Sequence, residues 1–283
     1  MFDDTIHRVE SLLIEHASSI RASFIERETV GEENPSGEII HRGDLIVDEL
    51  LEQVLTNVDE IGQYASEERI EPINGHGRLA VAVDPLDGSS NLRANNTVGT
   101  IVSLYDSFLP ASGDSLIAAW YLVFGPLTSM VSTDGEIVRE TLIRDGDVYE
   151  EQNISMPADP IVYGVGGKPS QWTPAFRSFI QEISTELKVR YSGAMVADVN
   201  QVLAHGGLFS YPALATAPAG KLRIQFEAIP IAAIITAAGG ASTTGTESIL
   251  SLSPTTLHER TPVHVGTDFI IRRLEAATNQ EVR

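Results

Sequence analysis

The sequence lacks several features, and each absence excludes a class of protein. None of its 283 residues is cysteine, which excludes a disulfide scaffold, a cysteine nucleophile and thiolate-bound zinc or iron–sulfur clusters. No apolar run reaches the roughly 18 residues that a membrane-spanning helix needs. The first residues also lack a basic region followed by an apolar stretch, so the sequence predicts no secretory signal. We therefore expect a cytoplasmic protein without a membrane partner.

Lysine is scarce as well. The chain has only three lysines (Lys168, Lys188 and Lys221), and its 39 acidic residues outnumber its 19 basic ones, for a net charge of −20. This acidic surplus argues against a nucleic-acid partner, because phosphate backbones need basic surfaces. Few lysines and many carboxylates predict a halophilic protein, since concentrated salt screens the self-repulsion of such a charge. The alternative is an ordinary acidic enzyme.

The residues that are present are typical of a globular chain. Apolar residues make up 42% of the sequence, with 23 glycines and 14 prolines. Apolar residues at three- and four-residue steps predict helices, and short apolar runs predict strands. The predicted helices cover 3–27, 44–55, 172–187, 195–204, 228–238 and a segment from about 268, and the predicted strands cover 79–83, 99–105, 116–124, 222–226 and 262–265. This mixture predicts an α/β fold, that is, a layered α+β arrangement.

The segment 83–91, Val-Asp-Pro-Leu-Asp-Gly-Ser-Ser-Asn, is the most informative part of the sequence. Asp84 and Asp87 flank a proline at the end of an apolar strand, and two fixed carboxylates plus a backbone carbonyl suit a hard cation such as Mg²⁺. Gly88, Ser89 and Ser90 can direct backbone N–H groups and hydroxyls towards a phosphate. Metal ions beside a phosphate cradle are what phosphoryl transfer to water requires. The alternative is a simple turn, because Asp, Pro and Gly all favour turns.

Four carboxylates elsewhere in the chain could join this site. Glu67 and Glu68 end another candidate strand. Glu227 follows the predicted strand 222–226, and Asp44 follows a Gly-rich loop. Each also has a purely structural explanation: a solvated rim for the Glu pair, a helix N-cap for Asp44, and a first-turn acid at a helix N-terminus for Glu227. The residues alone leave both explanations open.

Together these segments resemble those of the class I fructose-1,6-bisphosphatase family. The segment 84–91 is similar to the family's core motif, and six blocks resemble the family in the right order over nearly the whole chain. The other five blocks are 34–37 with Asp44, 66–68, 190–199, 206–212, and 220–227 with 238–245. The resemblance implies the sugar-phosphatase fold, a five-layer αβαβα sandwich. It also implies one compact domain over 1–283, with the core metal motif in the half 1–155 and the sugar-phosphate segments in the half 156–283.

The implied activity is metal-dependent hydrolysis of the 1-phosphate of fructose 1,6-bisphosphate, which yields fructose 6-phosphate and phosphate in gluconeogenesis. The resemblance implies two or three Mg²⁺ ions per site, with Mn²⁺ as an alternative. Their ligands would be Glu67, Asp84, Asp87, Glu227 and the carbonyl of Leu86. Asp44 and Glu68 would activate the attacking water, and Glu38, in a mobile loop, would help complete the site.

The resemblance also implies how the sugar bisphosphate is held. Gly88, Ser89 and Ser90 would bind the 1-phosphate. The sugar and the 6-phosphate would contact Tyr191, Met195, Tyr211 and Lys221. Arg190 would reach the 6-phosphate of a neighbouring subunit, which implies a homotetramer or a dimer. Gly166 and Pro169 replace a family Asn and Tyr that touch the 6-phosphate, and Lys168 between them is expected to supply the lost contact.

Three other functions remain open at this stage. A sedoheptulose-1,7-bisphosphatase has a similar core motif, although the segments 195–198 and 209–212 favour the fructose enzyme. An inositol monophosphatase shares Asp-Pro-x-Asp-Gly, but it carries Trp-Asp where this chain has Phe226 and Glu227. A non-catalytic protein that binds metal or sugar phosphate would be expected to lack one of the carboxylates that bind metal or act as the general base. None of these carboxylates is missing here.

Overall fold

Six α-helices occur among the described residues, 2–35, 37 and 39–278, of this computed structural model. They are α1 (Asp3–Ser23), α2 (Arg42–Leu55), α3 (Pro174–Glu186), α4 (Met195–His205), α5 (Ile229–Ala237) and α6 (Asp268–Thr278). No helix in these ranges combines the length and the apolarity that crossing a membrane requires.

The strands form one large sheet, one smaller sheet and two short ribbons. The large sheet has the order β10-β9-β8-β7-β6-β5-β3-β4, the smaller one β12-β11-β13-β17-β15, and the ribbons are β1-β2 and β14-β16. These labels denote β1 (Thr29–Glu33), β2 (Ile39–His41), β3 (Ile61–Ser66), β4 (Ile73–Asn74), β5 (Leu79–Asp87), β6 (Val98–Tyr105), β7 (Leu116–Phe124), β8 (Thr128–Thr133), β9 (Val138–Arg144), β10 (Asp147–Ile154), β11 (Val162–Val165), β12 (Lys188–Val189), β13 (Gly207–Tyr211), β14 (Leu222–Arg223), β15 (Ala241–Thr243), β16 (Arg260–Thr261) and β17 (Val263–Gly266).

The helices and the two main sheets alternate as layers. Helices α1 and α2 cover one face of the eight-stranded sheet, where Leu13 and Leu51 pack near Trp120. Helices α4 and α5 fill the space between the sheets. Helices α3 and α6 cover the outer face of the five-stranded sheet, with Phe179 and Ile271 against it. The order αβαβα confirms the predicted five-layer sandwich, because each apolar face is buried against its neighbouring layer.

Several predicted boundaries were wrong. Helix α1 ends at Ser23 rather than at residue 27, and the strand predicted over 222–226 is only two residues long. It gives way to a π-helical turn over Ile224–Ala228. The strand predicted over 79–83 continues through Pro85 to Asp87, and its register with β6 is irregular between Asp84 and Asp87. Proline cannot donate to the ladder, so a local irregularity is where a central strand tolerates it.

Candidate active site

Three carboxylates from two distant segments meet at the centre of the site. Asp84 and Asp87 end β5, and Glu227 lies in the π-helical turn that precedes α5. One ligand oxygen from each lies within 4.8 Å of the others, and all three side chains are buried. Residues three apart on a regular strand point to opposite faces. The irregular register between Asp84 and Asp87 therefore brings both carboxylates to the same side.

Arg223 bridges this cluster to a further acid. Its Nη2 lies 2.9 Å from Glu67 Oε1, and its backbone N–H donates to Glu227 Oε2 at 2.6 Å. Both side chains of the Arg223–Glu67 pair are almost fully buried. Glu67 thus stands beside the three clustered carboxylates, and one buried guanidinium offsets part of their charge.

The clustered carboxylates strongly oppose each other's ionisation. Burial, followed by the charges of Glu67, Asp87 and Glu227, raises the pKa of Asp84 well above its usual range. Burial is also the main cause that raises the pKa of Asp87 to about 7. Buried acids of this kind are neutral or compensated by a cation. Because the donors are all oxygen atoms, the residues fit a hard divalent cation such as Mg²⁺.

Glu68 has the properties of a general base. Its Oε2 is buried without a hydrogen-bond partner among the described residues, while Oε1 accepts from Asn34 Nδ2 at 3.4 Å. Burial, followed by the charge of Asp44, raises the pKa of Glu68 to about 7. A base is most effective when its pKa lies near the working pH. Asp44 itself is held by the backbone N–H of His41, which donates to its Oδ2 at 2.6 Å.

Asp44 occupies the third position of α2 and is not its N-cap. His41 is the N-cap, and the two residues form a reciprocal capping box. Such a box satisfies two N–H groups that have no acceptor within the helix. It also fixes the Asp44 carboxylate, which is buried and lines the cavity of the site.

The loop after β5 packs tightly against the start of α4. Gly88 has a φ of +76°, and a Cβ there would lie 2.3 Å from the Ala194 Cβ. Asp87 Oδ2 also accepts from the backbone N–H of Val196 at 2.7 Å. A glycine is therefore required at position 88 for both conformation and space. Ser89 begins a 3₁₀ helix, and the first N–H groups of a helical segment have no acceptor within it.

Most of the predicted site residues line one cavity of about 540 Å³. The predicted residues that line it are Asp44, Glu67, Glu68, Asp84, Leu86, Asp87, Gly88, Ser89, Ser90, Tyr191, Tyr211, Lys221 and Glu227. Ile39, His41, Gly193 and Leu222 also line it and were not predicted. Each of these four is within three residues of a predicted one, so sequence proximity was the only available signal.

Four predicted residues are not placed in this cavity. Met195 is buried in the core between the sheets, because its position at the start of α4 directs it into the middle layer. Lys168 and Arg190 are exposed and are absent from the described lining of the cavity. Glu38 lies outside the described residues. The assignments of all four to catalysis or to substrate remain predictions.

The Tyr211 ring occupies the space that an asparagine side chain at position 166 would need. A Cβ at this position would lie 2.4 Å from both Cδ2 and Cε2 of Tyr211. The Tyr211 ring lines the cavity, so any larger side chain at position 166 would require this ring to shift.

Comparisons with known proteins point to one family. The family model described as "Fructose-1-6-bisphosphatase, N-terminal domain" matches residues 17–148, and the corresponding C-terminal model matches residues 156–279. A "Fructose-1,6-bisphosphatase class 1" of Natronomonas pharaonis, a halophilic archaeon, is 48% identical over 280 residues, which cover 97% of this chain and 99% of the relative.

Solved structures are similar over the same extent. Leishmania major fructose-1,6-bisphosphatase in holo form superposes with a TM-score of 0.88 at 29% identity, covering 96% of this chain and 92% of the other. A putative sedoheptulose-1,7 bisphosphatase from Toxoplasma gondii superposes with a TM-score of 0.89 at 25% identity, covering 98% and 94%. The fold and most of the chain length are thus shared with both.

Proposed function

This chain belongs to the fructose-1,6-bisphosphatase family, and from that premise we propose that it hydrolyses the 1-phosphate of fructose 1,6-bisphosphate in gluconeogenesis. The observation that carries the proposal is the buried cluster of Asp84, Asp87 and Glu227, with ligand oxygens within 4.8 Å of one another. The cluster borders the cavity that Ser89 and Ser90 also line. Acids that could hold cations therefore lie next to groups that could hold a phosphate.

We propose that the cations are two or three Mg²⁺ ions, with Mn²⁺ as an alternative. Their ligands would be the carboxylates of Glu67, Asp84, Asp87 and Glu227 and the carbonyl of Leu86. Bound there, the ions would neutralise the phosphate dianion and stabilise the charge that develops during hydrolysis. The oxygen-only donor set supports a hard cation.

Side chains and backbone groups of the chain would activate the attacking water and orient the phosphate. Glu68, paired with Asp44, would take the proton of the attacking water, because one of its buried oxygens has no hydrogen-bond partner among the described residues and its pKa is raised to about 7. We propose that Glu38 assists them. The backbone and hydroxyls of Gly88, Ser89 and Ser90 would orient the 1-phosphate for in-line attack.

The sugar and the 6-phosphate would contact other residues of the same cavity. Tyr211 and Lys221 line it, and the Lys221 ammonium would pair with the 6-phosphate. Tyr191 also lines the cavity and would contact the sugar. We further propose that Lys168 reaches the 6-phosphate when substrate is bound.

The assembly and the location are part of the same proposal. We propose a cytoplasmic homotetramer, with a dimer as the alternative, in which Arg190 reaches the 6-phosphate in a neighbouring subunit. The exposure of Arg190 and its absence from the described lining of its own cavity support this role. Light scattering in molar KCl would give the oligomeric state. Arg190→Gln should raise KM without changing kcat.

A substrate panel tests the proposed reaction. Phosphate release would be measured with Mg²⁺ and with a chelator, using fructose 1,6-bisphosphate, sedoheptulose 1,7-bisphosphate and inositol 1-phosphate in parallel. We expect the highest kcat/KM with fructose 1,6-bisphosphate and no release in the chelator. A preference for the seven-carbon sugar would favour the rival supported by the Toxoplasma likeness. Equal rates with and without the chelator would overturn the metal-dependent mechanism.

A further inference from the structure

Arg69 follows the pair Glu67–Glu68 but is not among the described residues that line the cavity. Its Nε donates to Asp48 Oδ2 at 2.6 Å, and its Nη2 donates to Glu52 Oε2, also at 2.6 Å. Asp48 and Glu52 lie on α2, one and two turns after Asp44. The guanidinium therefore joins the turn that carries Glu67–Glu68 to the helix that carries Asp44.

The Asp48 end of this link is deeply buried. Its side chain is 3% exposed, and its Oδ1 accepts from the Tyr64 hydroxyl at 2.8 Å. Tyr64 lies on β3, the strand that leads into the turn. A buried carboxylate that accepts from both a guanidinium and a phenol has a well-defined geometry. A guanidinium donates to two carboxylates from separate nitrogen atoms in a fixed plane, whereas an ammonium has a single nitrogen.

Arg69 is also linked indirectly, through His258, to the segment that carries Glu227. Its carbonyl accepts from His258 Nε2 at 2.8 Å, and the His258 ring packs on Phe226 with ring centroids 5.3 Å apart. Phe226 directly precedes Glu227. One residue outside the cavity thus connects all the segments that supply Asp44, Glu68 and Glu227.

We propose that Arg69 is a positioning residue that sets the separation of Asp44 and Glu68. This inference rests on the proposed function. Among the described residues, Asn34 is the side chain that donates to Glu68 Oε1, and Oε2 has no partner. The position of this carboxylate is consequently determined by its backbone, which Arg69 attaches to α2.

The test compares Arg69→Gln with Arg273→Gln. Arg273 forms a similar ion pair with two carboxylates, at 2.6 Å from Glu182 and 2.7 Å from Glu186, and it lies on α6. We expect Arg69→Gln to lower kcat about tenfold with KM for the sugar bisphosphate within about twofold, since small misplacements of catalytic groups are costly. Arg273→Gln should leave both constants unchanged.

Two further variants keep the test decisive if Arg69→Gln does not fold. Arg69→Lys can reach one carboxylate and should recover part of kcat. Glu52→Gln removes the negative charge of one of the two partners of Arg69 and should lower kcat about threefold. Unchanged kcat in the folded variants, or equal losses in Arg69→Gln and Arg273→Gln, would overturn the proposal.

A second readout does not depend on the substrate. The increase in Tm on addition of Mg²⁺ should be at least halved in Arg69→Gln and unchanged in Arg273→Gln, because only the first disturbs the turn that carries Glu67. If the wild type hydrolyses none of the sugars, the proposed function fails, and this comparison still decides the role of Arg69. An equal increase in Tm in both variants would assign Arg69 a merely structural role.

Discussion

Arg223 and Glu67 form a buried ion pair across 156 residues of chain, with Nη2 2.9 Å from Oε1. Arg223 supplies positive charge to the cavity. Among the described residues that line the cavity, the other basic side chains are Lys221 and His41, and the remaining charged side chains are carboxylates. The guanidinium therefore does for the metal-free protein part of what a bound cation would do.

Removal of the Arg223 charge should make stability depend on metal. Arg223→Gln removes the guanidinium that offsets the buried charges of Glu67 and Glu227, and we expect a loss of about 3–5 kcal/mol in the free energy of unfolding without metal. Added Mg²⁺ should recover part of this loss. Urea unfolding with and without Mg²⁺ measures both values, and Arg223→Lys serves as the charge-conserving control. Equal losses in both conditions would contradict this prediction.

Neutralising Asp84 should separate stability from activity. Burial and three neighbouring acids raise the pKa of Asp84 in the folded protein. Ionisation of Asp84 therefore lowers the free energy of unfolding as the pH rises above the pKa of an aspartate in the unfolded chain. At pH 8 without metal, Asp84→Asn should therefore be as stable as the wild type or more stable. Its metal-dependent turnover should fall at least about a hundredfold, and its Tm should not respond to Mg²⁺. Asp114→Asn, at an exposed carboxylate, is the control, and near-normal turnover in Asp84→Asn would refute the site.

A side chain at position 166 should displace the Tyr211 ring. Gly166→Ala places a Cβ 2.4 Å from two ring atoms, and overpacking of this kind costs about 1–3 kcal/mol. We expect KM for the sugar bisphosphate to rise severalfold with a smaller change in kcat. Steady-state kinetics measure both. Gly75→Ala, where the nearest atom would lie 3.6 Å away, should behave like the wild type. Unchanged KM in Gly166→Ala would show that the ring position does not affect binding.

His264 should make the fold sensitive to acid. Burial lowers its pKa from 6.5 to about 3, so below pH 6.5 the unfolded chain binds a proton that the folded chain does not. The contribution of neutral His264 to the free energy of unfolding is fully present above pH 6.5 and declines as the pH falls towards 3. Between pH 7.5 and 5.5 the loss amounts to about 1.4 kcal/mol.

Urea unfolding at these two pH values checks the acid sensitivity. His264→Asn should show a pH dependence smaller by this amount, whereas its absolute stability is expected to change because the contact with Ser210 is altered. His76→Asn, at an exposed position, should leave the wild-type dependence intact. Identical slopes for His264→Asn and the wild type would exclude His264 as the source.

The charge of the whole chain predicts a response to salt. A net charge of −20 repels itself in dilute buffer and is screened at high ionic strength. We expect Tm to rise between low and molar KCl. Differential scanning calorimetry at several KCl concentrations measures it, with matched NaCl and sucrose series as controls for ion identity and for general solute effects. A flat or falling Tm would contradict the halophilic interpretation.

Regular, strongly apolar elements could be predicted from sequence, and weakly patterned ones could not. Helix α4 was predicted to within one residue of its observed bounds, Met195–His205, because its apolar spacing is clear. The strands β8, β9 and β10 were not predicted. Strand β10 is exposed at almost every position, so it has no apolar alternation, and it forms because β9 offers a free edge.

The sequence by itself determined the chemical character of this protein. Its order of acidic, glycine and serine blocks is local information, and it sufficed to predict the family, the sandwich fold and most of the residues that line the cavity. The tertiary structure decided which groups meet. The sequence did not show that the Met195 side chain lies in the core between the sheets, and its predicted contact with substrate stays a prediction. The contacts of Arg69 with Asp48, Glu52 and His258 were not predicted at all. Such contacts join residues far apart in the chain, and only the stacking of the layers sets their distances.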